Sequence, residues 1–219
     1  MKNLEQLITD INSLSFDNIV TTLPNEVDEK EVIEEFQLLK DNMLNSVVPQ
    51  QDKLLIHMAG LPGSGKSTYC ENVLLKKLVR EEILYLGFDD VMEKISFYQE
   101  EKKKDIVNAF KRWEIPARIL GYEILVKAFE KNLSVLFDNG ASNARHLEII
   151  ELFQENNYRI KMYYLGGTPQ QLIPRVAQRE AEGKRHLPLE EMESRYNSLQ
   201  KVLEKYKIVV DDFYDVTNI

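Results

Sequence analysis

One cysteine, Cys70, stands among 219 residues, so the chain cannot close a disulfide on itself. No stretch approaches the roughly 18 consecutive apolar residues that a membrane-spanning helix needs. The N-terminus, Met1-Lys2-Asn3-Leu4-Glu5, lacks the basic-then-apolar layout of a secretory signal. Basic residues are outnumbered, 28 against 36 acidic, which leaves a net charge of −8 with histidine neutral. A broad nucleic-acid-binding face carries the opposite balance. There is no internal repeat and no low-complexity tract. These shortages predict a cytoplasmic protein of a reducing compartment, away from membranes, and they argue against a nucleic-acid partner.

What the chain does have is enough apolar residue, 43%, for a sizeable core. The first fifty residues carry two helical patterns. Leu4, Leu7, Ile8, Ile11 and Leu14 form one, and Val32, Ile33, Phe36, Leu39, Met43 and Leu44 the other. Residues 1–50 are therefore expected to be a helical appendage packed on the core. The alternative is a cap over a substrate site or a partner-binding surface. From residue 51 onward strands and helices alternate. Apolar runs at Lys53–Ala59, Ile83–Phe88, Leu133–Phe137 and Tyr158–Leu165 read as strands. The segments Lys66–Arg80, Asp105–Trp113, Arg118–Lys131, Asn143–Glu155, Pro169–Ala181 and Leu189–Tyr206 read as helices. Such alternation predicts an α/β fold with a mainly parallel sheet covered by helices on both faces. Ligands of such folds bind beyond the carboxyl ends of the strands.

The first predicted strand runs into Gly60-Leu61-Pro62-Gly63-Ser64-Gly65-Lys66-Ser67, followed by Thr68. This run fits the phosphate-binding pattern G-x-x-x-x-G-K-[ST] at every fixed position, between a strand and a helix as the pattern requires. Backbone N–H groups and the positive end of the following helix would converge on one anion. Lys66 would reach the β- and γ-phosphates, and the Ser67 hydroxyl would ligate Mg²⁺. A ligand-free glycine turn is the bland alternative, but it has no use for a lysine that opposes the helix dipole.

Two other strand ends carry carboxylates. Asp89-Asp90 follows the second strand and Asp138-Asn139 the third. One of Asp89 and Asp90 could take a proton from a substrate hydroxyl, although aspartate at a helix start is also a common N-cap. Asp138 could hold Mg²⁺ or bind substrate hydroxyls, although Asp-Asn-Gly is also a turn sequence. A cationic group, Arg175, Arg179, Lys184, Arg185 and Arg195, follows the fourth strand. Arg175 and Arg179 are four apart and share a helix face. They could close over a transferring phosphoryl group, or sit on a solvated face paired with Glu180, Glu182, Glu190 and Glu191. His57 and His186 are expected to be structural, and His146, on a helix, is assigned no role.

Gly60–Thr68, Gly87-Phe88-Asp89-Asp90-Val91-Met92-Glu93, the strand ending in Asp138 and the block Arg175–Pro188 together resemble the zeta-toxin-like P-loop kinases, over about Lys53 to Asn218. The Arg-x-x-x-Arg, Gly-x-x-His-x-Pro and Arg195-Tyr196 arrangement is the more specific part. The resemblance implies transfer of a phosphoryl group from ATP or GTP, with Mg²⁺, to a small-molecule hydroxyl. In toxins of this family the acceptor is a UDP-amino-sugar such as UDP-N-acetylglucosamine. It implies Lys66 as the phosphate lysine, Asp89 as general base, and Arg175 and Arg179 on the transferred group. Asp90, Asp138 and Asn139 fall near substrate-binding positions, and Asp138-Asn139-Gly140 stands where the family has Glu-Gly-Thr. Asn218 falls where the C-terminal segment meets the nucleotide base. The resemblance also implies an antitoxin-like protein as a partner. A polynucleotide 5′-kinase uses the same parts, and a nucleotide-binding regulatory module uses the phosphate loop without a base.

Overall fold

The computed structural model describes residues 3–13, 16–182 and 189–217. Five parallel strands form one sheet: β1 (Leu54–Ala59), β2 (Ile83–Gly87), β3 (Ser134–Gly140), β4 (Arg159–Tyr164) and β5 (Asp212–Asp215). Their spatial order is β2-β3-β1-β4-β5. The chain winds outward from β1 to β2, returns to β3, then crosses β1 to reach β4. That reversal puts β1 at the centre, where a doubly wound sheet offers its ligand crevice. The parallel sheet with helices is the expected architecture.

The sheet's faces follow from alternation along the strands. Ile56 and Met58 of β1 and Leu136 of β3 point to one face, where they meet Cys70 and Leu74. Leu55, Ala59, Val135 and Phe137 point to the other, onto the larger core. That core is built around α7 (Ile106–Glu130), which buries thirteen residues including Trp113, Leu120 and Leu125. Asp105 caps α7, its carboxylate accepting from the Asn108 N–H at 3.0 Å. Two helices, Asp105–Trp113 and Arg118–Lys131, were expected here, with Pro116 between them. The helix instead runs through it, because burial of its apolar face outweighs the roughly 3 kcal/mol that an interior proline costs.

The N-terminal helices α1 (Leu4–Asn12) and α2 (Glu29–Asn45) lie against α7 and α8 (His146–Glu155). Leu4, Leu7, Ile8, Val32, Phe36 and Leu44 are continuous with the large core. The helix after the phosphate loop is shorter than the expected Lys66–Arg80. α3 (Lys66–Tyr69) passes through a π turn at Cys70–Leu74 into α4 (Leu75–Lys77), and Leu78 is already extended. A short α5 (Phe88–Glu93) and α6 (Ser96–Lys102) follow β2, and α9 (Pro169–Ala181) and α10 (Leu189–Val209) follow β4. β5 was not foreseen. It lies at the sheet edge and pairs with β4 alone.

Candidate active site

The phosphate loop leaves the central strand at Ala59. Gly60 adopts φ +146°, and a Cβ there would stand 2.4 Å from the Leu165 carbonyl oxygen, so only glycine fits. The loop is clamped by α9: Leu61 packs with Leu172, Val176 and Met192 in a small separate core. Thr168 and Gln171 close a capping box at the start of α9, which fixes that helix beside the loop. Inside the loop the Ser64 hydroxyl is buried and lacks a hydrogen-bond partner among the described residues. An orphaned donor in a cradle of N–H groups is what a phosphate oxygen would satisfy.

Lys66 opens α3, and its Nζ donates to the carbonyls of Gly60 and Leu61, both at 2.9 Å. Burial lowers its pKa from the usual lysine range. The charges of Asp138 and Asp89 pull it back up, and that of Arg179 pushes it down. All three predicted partners thus lie within electrostatic reach of the lysine. Arg175, one turn earlier on the same helix, is exposed.

The Ser67 hydroxyl donates to Asp138 Oδ2 at 2.9 Å. The Tyr85 hydroxyl donates to the same oxygen at 3.5 Å. Burial, and then the Asp138 charge, push the Tyr85 phenol well above its usual range, so it stays a donor. Tyr85 was not anticipated. Its one signal is the alternation of β2, which points Tyr85 to the α3 face. A serine hydroxyl beside a carboxylate suits Mg²⁺, which takes few protein oxygens and keeps several waters. No group of three or more His, Cys, Asp or Glu that could hold a metal occurs among the described residues, so Mg²⁺ here would complete its shell with water and phosphate oxygens.

Asp89 is exposed in the first turn of α5. That turn is anchored by Phe88, whose ring lies 4.7 Å from Tyr122 and 5.6 Å from Phe137, centroid to centroid. Asp90, the neighbouring candidate, is ion-paired with Lys94 one turn on. Thr68 is exposed beside Ser67. Asn139, expected near substrate, has both ends of its amide engaged inside the protein. Oδ1 meets His57 Nε2 at 2.7 Å and Nδ2 meets His146 Nδ1 at 3.0 Å. Arg195 is ion-paired with Glu191. Lys184, Arg185, His186 and Asn218 lie outside the described residues. Among those described, no helix is long and apolar enough to cross a membrane.

A central-strand phosphate loop, its lysine, and a Ser–Asp pair at the loop's base on a parallel sheet define a P-loop phosphotransferase fold. The zeta toxin family model matches residues 40–218, and the chain belongs to that family of nucleotide-dependent phosphotransferases. Its fold is similar to the structure of the PezAT chromosomal toxin–antitoxin system of Streptococcus pneumoniae, with a TM-score of 0.65 and 12% identity over 89% of this chain and 81% of that one. It is also similar to the AvrRxo1-ORF1:-ORF2 complex. The ATP-containing form gives a TM-score of 0.61 and 13% identity over 90% of this chain and 64% of that one. The native form gives 0.57 and 12% over 85% and 63%. A search of curated proteins finds no match.

Proposed function

We propose that this chain transfers the γ-phosphoryl group of ATP or GTP to a hydroxyl of a small molecule. The observation that carries the reading is the phosphate loop at the end of β1, with its Ser64 hydroxyl unpartnered among the described residues and the Ser67–Asp138 hydrogen bond at its base. The charges of Asp138, Asp89 and Arg179 also act on Lys66. In this reading the loop N–H groups and Ser64 hold the donor phosphates. Lys66 would swing from the Gly60 and Leu61 carbonyls onto the β- and γ-phosphates. Ser67 and Asp138 would hold Mg²⁺, which supplies charge neutralisation when bound. Asp89 would accept the proton of the attacking hydroxyl. Arg179, with Arg175 beside it, would neutralise charge on the transferring group. Phosphoryl transfer asks for little beyond positioning and this electrostatic support.

The acceptor we favour is a nucleotide sugar of the UDP-N-acetylglucosamine kind, on family membership. An antitoxin-like protein is the partner we favour, on family membership and on the similarity to a toxin–antitoxin system. The test is incubation of the full chain with Mg²⁺, labelled ATP or GTP, and a panel of nucleotide sugars and polyols. Transfer of label to one acceptor, abolished by Lys66→Ala, supports the reading. No transfer, with nucleotide binding unchanged by Lys66→Ala, contradicts it.

A further inference from the structure

The end of β3 turns its residues in two directions. Met58 of β1 is in register with Asp138, but Ala59 is in register with Gly140, so Asn139 is an extra residue in β3. This bulge lets Asp138 face Ser67 on one side of the sheet while Asn139 faces His57 and His146 on the other. The turn beyond it is strained, with Gly140 at φ +82° and Ala141, which has a side chain, at φ +57°. It also abuts the phosphate loop, where the Gly60 N–H donates to the Gly140 carbonyl at 3.1 Å. Whatever holds this turn holds both Asp138 and the first glycine of the loop.

A directed chain of hydrogen bonds holds it. The Ala141 N–H donates to Asn139 Oδ1 at 3.1 Å, which identifies that atom as the oxygen. His57 Nε2–H must then be the donor to the same oxygen. Asn139 Nδ2 must donate to His146 Nδ1, so neutral His146 carries its proton on Nε2. That N–H meets the Tyr122 hydroxyl at 3.2 Å, and the hydroxyl donates to Asn12 Oδ1 at 3.2 Å. Asn12 Nδ2 closes on the Ile8 carbonyl at 3.0 Å. Each bond in the series has one donor and one acceptor, and the series ends in α1. The buried His57 Nδ1 has no partner among the described residues. A second tie runs alongside, from Arg145 Nη1 to the Asp10 carbonyl at 2.7 Å.

We infer that Asn139 is a positioning residue for phosphoryl transfer, and that α1 supports the catalytic turn through Asn12, Tyr122 and His146. The inference rests on the proposed kinase reading for its kinetic consequence, but its structural half can be read without catalysis. Both ends of the Asn139 amide are engaged inside the protein, so it acts through its neighbours in the turn. It fixes the bulge that aims Asp138 at Ser67 and keeps Gly140 against Gly60. The N-terminal helix is then part of the working site.

The test compares wild type, Tyr122→Phe, Asn12→Ala and Asn139→Leu in the full chain. Three readouts are taken well below each variant's melting temperature. These are amide exchange at Gly60, ring ¹⁵N shifts of His57 and His146, and kcat and KM for nucleotide. In wild type both rings should show the Nε2–H tautomer. Asn139→Leu should lower kcat about 100-fold, as misplacement of order 1 Å does, with nucleotide KM within about threefold. Tyr122→Phe removes one oxygen at a distance and should leave a folded protein. It should still speed Gly60 exchange and lower kcat about tenfold, the size of an effect near 1.4 kcal/mol. A purely structural role would lower the folded fraction without changing the Gly60 exchange of the remainder. Wild-type exchange and tautomers in Tyr122→Phe would overturn the inference, whether or not phosphoryl transfer has been detected. Wild-type kcat in a folded Asn139→Leu would overturn it too. An inactive wild type with the expected exchange pattern would instead contradict the kinase reading alone.

Discussion

The two histidines of this network make stability depend on pH in a calculable way. Burial lowers the His57 pKa from 6.5 to about 4, against a smaller upward pull from the Asn139 hydrogen bond. Burial, then the charges of His57 and Arg118, lowers that of His146 from 6.5 to about 3. Both are neutral when folded and take a proton when unfolded. Between pH 6.5 and 4 the unfolded chain therefore binds more protons, and stability falls as pH falls. Each histidine contributes a slope of about 1.4 kcal/mol per pH unit in that window, so by pH 5 the pair together removes about 4 kcal/mol. That is a large share of the roughly 5–15 kcal/mol that holds a domain together. Urea unfolding followed by circular dichroism between pH 8 and 4.5 measures it. The expected profile is flat above about pH 7.5 and falls steeply below 6.5, and His146→Asn should roughly halve the slope. A profile flat to pH 5, or His57 and His146 resonances titrating near 6.5 in the folded protein, would refute the reasoning.

Gly60→Ala places a methyl 2.4 Å from the Leu165 carbonyl at φ +146°. It should cost about 3 kcal/mol or more and abolish binding of a fluorescent nucleotide, and unchanged affinity would count against the cradle. At Gly121 on α7 a Cβ would meet the Phe88 ring at 2.5 Å. Gly121→Ala should leave the melting temperature within a few degrees, helix propensity offsetting a clash of about 1–3 kcal/mol, yet lower kcat at least about tenfold by shifting Asp89. Arg179→Ala should cost about 10²–10³ in kcat with the protein still folded, and steady-state kinetics at saturating nucleotide checks it.

The phosphate loop was legible because its chemistry is written in contiguous residues, with an apolar strand before it. The places of Asp89 and Asp138 were legible because an apolar strand runs up to each, and strand ends in a parallel sheet are where ligands bind; their roles remain proposals. What escaped the sequence depended on packing between distant segments. Asp-Asn-Gly reads as a turn, but only pairing with β1 shows the bulge that sends Asp138 and Asn139 to opposite faces. β5 is four residues long, Asp-Phe-Tyr-Asp, and gains its place by pairing with β4 rather than by its own pattern. Pro116 signals a helix break locally, and the core of α7 overrides it. His57 and His146 look alike in any sequence window, and their value lies in meeting at Asn139.

The central claim is that the strand-end site moves a phosphoryl group onto a small molecule, with Asp89 as the base. Single-turnover transfer of labelled γ-phosphate to an acceptor, followed in wild type and Asp89→Asn, tests it most directly. The account predicts that wild type labels the acceptor. Asp89→Asn should do so about 10²–10⁴ times more slowly while binding nucleotide as tightly. Equal transfer rates in the two proteins would contradict it, as would wild type that binds nucleotide and labels nothing.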